Sequence, residues 1–431
     1  MDGLEKYFTV TGDISGRFAN GRETYTIFSV VKVELDAADP ESALRHAWKQ
    51  IRHEQPQIAT TFEGNNKVYH VPDDKALDEW LASTFIVSSA SDAEELHQNV
   101  TDRPITQAVL YYLPKSSELV FRGHHHTIDG TGVMLLWDCF LKALASPAEN
   151  IKFGDETARL APTMEEVLGF PEQPTQEVSE KATSMFMAWA SSIPGIGPVS
   201  KIGVAPPGKC QNAEVVLPTK TTEAIVQACK AKGISVTSAI HAAYVGAVVK
   251  YADPNAKLDE YVAVNQFNLR PYLPEPYNSS KYAVSVYYSP LPYTLALPAA
   301  YDDVARSLQD YYQSMFKKDP QILELRGHFM RSAAAAVATP EFLSAPVSRD
   351  AIVSSLGVAE RYMQREYGNG IKVRDFRFGV DVVLSMSMLF VYTFQDQLRL
   401  VYSFNDGFEE PADIQKYLEE TQEILARELL A

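Results

Sequence analysis

Residues 122–132 read RGHHHTIDGTG and contain the pattern His-His-x-x-x-Asp-Gly. Its four fixed positions are His124, His125, Asp129 and Gly130. In a chain of this composition, such a match arises by chance with a probability on the order of one in a thousand. The pattern is therefore the strongest chemical signal in the sequence.

The segments on either side of this pattern predict where it lies in the fold. Residues 118–122 (ELVFR) are typical of a strand, and residues 131–143 (TGVMLLWDCFLKA) are apolar on nearly every side. An all-round apolar segment of this length predicts a buried helix. We therefore expect the pattern on a loop between a strand and a buried helix, where glycines allow a close approach of ligand or backbone.

Strand and helix signals alternate through the rest of the chain. Residues 24–35 predict a strand, and Asp39-Pro40 predicts the start of a helix, with Asp as N-cap and Pro in the first turn. Further strands are predicted at 67–71, 105–113, 382–394 and 398–404, and further helices at 179–191 and 411–430. Strand and helix signals also occur at 213–217, 221–231, 235–250 and 261–268. This mixture predicts α/β sandwich domains rather than an all-parallel wound sheet.

A segment rich in proline and glycine interrupts the alternation near the middle of the chain. It predicts a crossover between two halves, with one helix embedded in it. We expect an N-terminal half at 1–160 that carries the motif, a crossover at 161–212, and a C-terminal half at 213–431.

Composition excludes several classes of protein. The chain has 431 residues and a formal net charge of −16, so it lacks the global basic field of a protein that binds nucleic acid or an anionic membrane. Its 3 cysteines are too few for a disulfide scaffold. No signal-peptide layout or membrane-spanning apolar run is apparent. We expect a monomeric cytoplasmic protein that binds neither nucleic acid nor membrane.

The residues of the motif suggest acid–base chemistry. A neutral histidine on a loop can remove a proton from a hydroxyl group, because its pKa lies near ambient pH. An Asp four residues later can either polarise that histidine or hold the loop by pairing with a buried arginine. His124 and His126 form a His-x-His pair with no third ligand nearby in the sequence, so no metal is expected.

Three segments together resemble the CoA-dependent acyltransferase superfamily, which includes chloramphenicol acetyltransferase, condensation domains and BAHD acyltransferases. The first is the His-His-x-x-x-Asp-Gly pattern. The second is VNQFNLRPYLPEPYN at 264–278, which is similar to the N-x-R segment of BAHD enzymes. The third is VSSLG at 353–357 followed by DFRFG at 375–379, a degenerate form of the family's S-S-W and D-F-G-W-G pair. These departures favour fungal trichothecene-type O-acetyltransferases or free-standing condensation-like enzymes.

The resemblance implies a fold and a set of roles. The fold would be two chloramphenicol-acetyltransferase-like α/β sandwich halves with a tunnel between them. His125 would act as the base, and Asp129 would be a scaffold residue paired with Arg270, with Arg17 and Arg374 as alternatives. His124 would be a structural neighbour of the base. Candidates for binding the oxyanion or substrate are Gly130, Ser354 and Ser355.

One lysine-rich segment is a candidate binding surface for the acyl donor. Residues 201–232 contain five lysines and two glutamates, so Lys201 and Lys209 are candidates for binding the phosphates of coenzyme A. A solvated lysine-rich surface is the alternative. We expect acyl-CoA as a co-substrate and no tightly bound cofactor.

The resulting hypothesis is an acyl-CoA-dependent O-acyltransferase, most simply an acetyltransferase, that acts on a small hydroxylated natural product. A second hypothesis keeps the fold but takes the thioester from a carrier protein, as a condensation or cyclisation enzyme would. A third is a non-catalytic module that only binds a ligand. The intact motif disfavours the third, because a pure binder needs no general base.

Overall fold

The structure, a computed structural model, describes residues 1–64, 66–171, 173–256, 259–344, 347–384 and 386–431. Its α-helices are α1 Gly3–Phe18, α2 Pro40–Glu54, α3 Asp74–Thr84, α4 Ala93–Val100, α5 Gly130–Ala145, α6 Met164–Leu168, α7 Gln176–Ser191, α8 Thr219–Lys232, α9 Val236–Lys250, α10 Tyr301–Lys318, α11 Ile322–Val337, α12 Pro340–Ser344 and α13 Pro411–Leu429. Its strands are β1 Thr26–Glu34, β2 Thr61–Glu63, β3 Asn66–Val68, β4 Phe85–Val87, β5 Val109–Leu113, β6 Glu118–Gly123, β7 Cys210–Val216, β8 Glu260–Asn268, β9 Tyr288–Ala296, β10 Ile352–Val358, β11 Lys372–Asp381, β12 Met388–Phe394 and β13 Gln397–Asn405. The predicted mixed α/β fold is confirmed.

The chain forms two compact units, and neither unit is a contiguous half of it. Unit 1 consists of Met1–Pro171, Asn268–Tyr288 and Val358–Val380. Unit 2 consists of Glu172–Phe267, Ser289–Gly357 and Asp381–Ala431. This division differs from the halves at 1–160 and 213–431, because two segments of the second half return to unit 1. Periodicity within a segment does not show which distant segment it packs against.

Unit 1 is built on a five-stranded sheet in the order β11-β1-β6-β5-β4. Strand β6 pairs antiparallel with both β1 and β5, and β4 joins β5 in parallel. Apolar side chains of this sheet and of α4 form a buried cluster that includes Val30, Leu96 and Val120. The motif loop therefore leaves the central strand of a packed sheet, which gives it rigid support.

Helix α5 follows the motif loop and is buried along most of its length. Its Trp137 donates a hydrogen bond from Nε1 to the Ser29 hydroxyl of β1, at 3.0 Å. The Ser29 hydroxyl in turn donates to the carbonyl of Arg377 in β11, at 3.1 Å. Both ends of the motif loop, β6 and α5, are thus tied to the same sheet. The 375–379 segment lies in β11 and supports that sheet.

Unit 2 contains a four-stranded sheet in the order β10-β12-β13-β7, and most of the two-stranded β8–β9 pair. Its large apolar core draws on this sheet and on helices α8, α9, α10 and α13. In the part of the chain that the structure describes, no helix is long and apolar enough to cross a membrane.

Several local features differ from the predictions. The strand predicted at 105–113 begins only at Val109, and helices α3, α4, α10 and α11 were not predicted. The strand predicted at 382–394 begins only at Met388, and Ser385 lies outside the described residues. Helix α1 was not predicted, because Thr9-Val10-Thr11 and two glycines obscure its periodicity. A signal for α1 was nevertheless present, since Asp2 and Glu5 form a capping box at its start.

Candidate active site

The motif loop of unit 1 is a tight turn between β6 and α5. The backbone N–H groups of Thr127 and Ile128 both donate to the carbonyl of His124, at 3.0 and 3.3 Å. Asp129 then caps α5, because its Oδ1 accepts the N–H of Gly132 at 2.7 Å. The spacing of the motif follows from this geometry: four residues complete the turn and reach the helix N-cap.

Asp129 is buried and serves as a hydrogen-bond acceptor for several structural groups. Its Oδ1 and Oδ2 each lie 2.9 Å from Nη1 of Arg270. Oδ2 also accepts the backbone N–H of Tyr287 at 2.7 Å. Together with the capping bond from Gly132, these contacts occupy both carboxylate oxygens. The geometry matches the scaffold role rather than the polarising role.

Arg270 lies on the returning segment of unit 1, and it pairs with Asp129 as the sequence predicted. Both side chains are almost fully buried, with 4% and 3% of their surface exposed. Nη2 of Arg270 also donates to the Ser285 hydroxyl at 3.0 Å. The alternative partners are engaged elsewhere: Arg374 pairs with Glu34, and Arg17 donates to a carbonyl of its own helix.

The motif also packs closely against this returning segment at Gly132. A Cβ atom at Gly132 would lie 2.4 Å from the carbonyl oxygen of Ala283 and 3.2 Å from Nη2 of Arg270. No side chain fits at those distances without moving backbone. The glycine is thus required for close packing, as the sequence analysis expected for glycines beside the motif.

His125 is half-buried and lies among aromatic rings. Its imidazole stacks on Phe8 of α1, with ring centroids 4.5 Å apart and planes 10° apart. Tyr288 lies on another side, at 5.4 Å between centroids. Burial lowers the pKa of His125, while backbone carbonyls of the turn and the charge of Asp129 act in the opposite direction. The ring is therefore neutral at neutral pH and able to accept a proton.

Only one nitrogen of His125 is well placed to act. Nδ1 is enclosed by the protein and faces its own turn. Nε2 of the half-buried ring is therefore the candidate nitrogen for proton transfer.

The flanking histidines face different surroundings. His124 donates from Nε2 to the carbonyl of Ile105 at 2.8 Å, and its Nδ1 lies 2.7 Å from Oε2 of Glu23. His126 stacks on Phe62 at 3.8 Å, and burial holds its pKa well below the ordinary value. Both rings are structural neighbours of the loop.

Glu23 is a residue that the sequence analysis missed. One ligand atom each from Glu23, His124 and His126 lie within 4.8 Å of one another, so a third candidate metal ligand does exist in space. The 2.7 Å contact between His124 and Glu23 is nevertheless shorter than the roughly 3.3 Å edge of a tetrahedral zinc site with bonds of about 2.0–2.1 Å. His124 and Glu23 are thus in direct contact within this cluster.

The serine candidates lie in unit 2, on β10. Ser354 is buried, and the Ser355 hydroxyl lies 2.8 Å from the hydroxyl of Thr237 in α9. Their role at an oxyanion stays a prediction. Gly130 lies in unit 1, at the first position of α5.

The lysine-rich segment of unit 2 is less positive than its sequence suggests. Lys201 pairs with Glu410 at 2.6 Å, and Lys232 pairs with Asp302 at 3.1 Å. Lys209 is exposed, but its backbone N–H donates to the carboxylate of Asp406 at 2.7 Å. A count of charges along the chain missed these acids, because they come from distant segments.

Sequence comparison identifies relatives over almost the whole chain, although no family model matches it. The O-acetyltransferase pigM of Monascus ruber is 31% identical over 417 residues, which cover 95% of this chain and 81% of that protein. The chain belongs to the family of this fungal acetyltransferase. The acetyltransferase pigO of the same species is 28% identical over 441 residues, covering 99% of this chain and 94% of that protein. Family membership makes this protein an acyltransferase and argues against the binding-module hypothesis.

A third relative matches about half of the chain. The azaphilone biosynthesis cluster protein M of Aspergillus terreus is 32% identical over 213 residues, covering 47% of this chain and 49% of that protein. The chain is thus also similar to a protein of a secondary-metabolite cluster.

Solved structures confirm the fold predicted from the motif. The TRI3 trichothecene 15-O-acetyltransferase from Fusarium sporotrichioides matches with a TM-score of 0.84 at 16% identity, over 99% of this chain and 94% of that one. The first condensation domain of the CDA synthetase matches with a TM-score of 0.67 at 15% identity, over 99% and 95% of the two chains. This acyltransferase therefore has the fold shared by the TRI3 acetyltransferase and the condensation domain.

Proposed function

We propose that this acyltransferase moves an acetyl group from acetyl-CoA to a hydroxyl group of a small secondary metabolite, with His125 as general base. The observation that carries the proposal is the setting of His125: a half-buried imidazole, stacked on Phe8, on a loop that the buried Asp129–Arg270 pair holds in place. Because both carboxylate oxygens of Asp129 accept structural hydrogen bonds, His125 is the motif residue that we propose as the proton acceptor.

The proposed reaction needs one proton acceptor and no covalent enzyme intermediate. Nε2 of His125 takes the proton of the acceptor hydroxyl as the oxygen attacks the thioester carbonyl. The tetrahedral intermediate then collapses, its C–S bond breaks, and the imidazolium returns the proton to the leaving thiolate. The products are the ester and free coenzyme A. General-base catalysis contributes about 10²–10⁴-fold to such a reaction.

An oxyanion forms in this reaction and needs a hydrogen-bond donor. We propose the Ser354 or Ser355 hydroxyl, or the backbone at Gly130, for this role. One such donor contributes about 10²–10³-fold. We propose a hydroxylated polyketide as the acceptor, because one relative belongs to an azaphilone biosynthesis cluster.

The test is turnover with acetyl-CoA and a panel of hydroxylated polyketides, read by mass spectrometry of the acetylated product. His125→Ala should lower kcat by at least about 10²-fold, the lower limit for a general base. His70→Ala, which removes an exposed histidine of the same unit, is the matched control and should retain wild-type turnover. Near-wild-type kcat in His125→Ala would remove His125 from the mechanism.

A carrier-protein donor is the second candidate, and one observation favours it. The fold of the chain matches that of the first condensation domain of the CDA synthetase over 99% of its length, with a TM-score of 0.67. Incubation with acetyl-CoA beside an acetyl-loaded carrier protein separates the two. Turnover from the carrier alone would replace the CoA proposal.

A further inference from the structure

Helix α1 is fastened to the motif loop and to two other segments of unit 1. Thr9 lies 3.4 Å from Nδ1 of His126, and Glu5 pairs with Lys67 of β3. Farther along the helix, the Ser15 hydroxyl accepts the backbone N–H of Thr24 at 2.9 Å. These contacts fix the helix along the length that passes the motif loop. Phe8 lies on this helix and stacks on His125, so its ring is held in place.

Phe8 is also packed among aromatic side chains of unit 1. Tyr25 meets it edge-on, at 5.9 Å between centroids and 79° between planes, and Tyr288 lies 6.4 Å away. Tyr25 is buried and adopts a left-handed backbone conformation, with φ of 66°. Such a conformation is unfavourable for a bulky residue and is retained at sites where the surroundings require it. Here it places the tyrosine ring against Phe8.

The plane of the His125 ring must be fixed if Nε2 is to act as the proposed base. In a catalytic triad a carboxylate does this, but the oxygens of Asp129 are occupied by Gly132, Arg270 and Tyr287. The near-parallel face of Phe8, 4.5 Å away, restrains the same rotation by packing. An apolar face also excludes water from the imidazole and favours its neutral form.

We infer that Phe8 of α1 is a positioning residue that orients His125, and that Tyr25 and Tyr288 hold Phe8 in place. The inference rests on the proposed role of His125 as the base. Phe8 touches no reacting atom and acts only through the imidazole.

The test compares Phe8→Leu with two other variants. Leucine keeps the apolar character but removes the flat ring. Phe18→Leu makes the same change at the far end of α1, where the side chain is 65% exposed, and Phe8→Tyr restores a ring. We expect Phe8→Leu to lower kcat by about 10- to 10²-fold, the scale of a small misplacement of a catalytic group, with smaller changes in KM. Phe18→Leu should behave like wild type, and Phe8→Tyr should recover most of the kcat.

The pH profile gives a second readout that a purely structural role would not change. Water that enters beside His125 relieves its desolvation and raises its pKa, so the acidic limb of kcat/KM should move to higher pH in Phe8→Leu. NMR of ¹³C-labelled histidine, with the signal assigned by its loss in His125→Ala, should show the same rise in the titration midpoint without any turnover.

The two proposals fail in different ways. If His125→Ala is inactive but Phe8→Leu keeps the wild-type kcat, pH profile and histidine titration, the inference about α1 is wrong and the proposed function stands. If His125→Ala retains wild-type turnover, the proposed base is wrong, and the role of Phe8 falls with it.

Discussion

Asp129→Asn tests the scaffold interpretation of the motif. An amide has one acceptor oxygen in place of two. If that oxygen keeps the capping bond to Gly132, the NH₂ group meets the backbone N–H of Tyr287 and Nη1 of Arg270, which are both donors. Arg270 then remains charged and buried without its counter-ion.

The size of the effect follows from burial. Breaking a buried ion pair by removing one partner costs about 3–5 kcal/mol. For a folded unit of this size, about 1 kcal/mol corresponds to about 2–4 °C in melting temperature, so the expected loss is about 6–20 °C. Activity should fall together with stability, because the same bonds hold the His125 turn.

Thermal melts and kcat should be measured on the same preparations. Glu34→Gln is the control in the same unit, since it breaks an exposed ion pair with Arg374 at 2.5 Å in which the two side chains are 57% and 48% exposed. That change should cost no more than about 1 kcal/mol. If Asp129→Asn melts like wild type and is inactive, Asp129 takes part in the chemistry and the scaffold interpretation is refuted.

Three further outcomes are expected. The kcat/KM of the wild type should stay high as pH falls past about 6.5, the ordinary pKa of histidine, because burial lowers the pKa of His125. A decline centred above the ordinary pKa would contradict a desolvated base. Gly132→Ala should destabilise the protein strongly, because its Cβ would meet the Ala283 carbonyl at 2.4 Å, and a wild-type melt would show that the loop can move apart. Lys209→Glu should raise KM for acetyl-CoA more than it lowers kcat, and KM should rise with salt; a flat response would place the donor elsewhere.

The sequence predicted the motif loop well because its signals are local. A strand signal at 118–122 and an apolar helix signal at 131–143 flank the motif, although the N-cap role of Asp129 was not predicted. The pairing of Asp129 with Arg270 spans 141 positions, and it was predictable only through the resemblance to a family. No periodicity in either segment points to the other.

The residues that the sequence analysis missed also depend on contacts between segments that are far apart in the chain. Glu23 meets His124, and Glu410 meets Lys201, through folding of segments that are far apart in the chain. The stacking of Phe8 on His125 depends on α1, whose amphipathic pattern is interrupted by glycine and β-branched residues. Only its capping box was visible in the sequence.

The discontinuity of unit 1 has a consequence for biosynthesis. A ribosome must deliver residues 268–288 before Asp129 finds Arg270, and residues 358–380 before β11 can lie beside β1. Until then the emerging chain carries an unpaired carboxylate and an open sheet edge, which favours association with other chains. A gene fragment encoding residues 1–171 alone should accordingly yield an insoluble product, and co-translational folding of this unit must wait until most of the message has been translated.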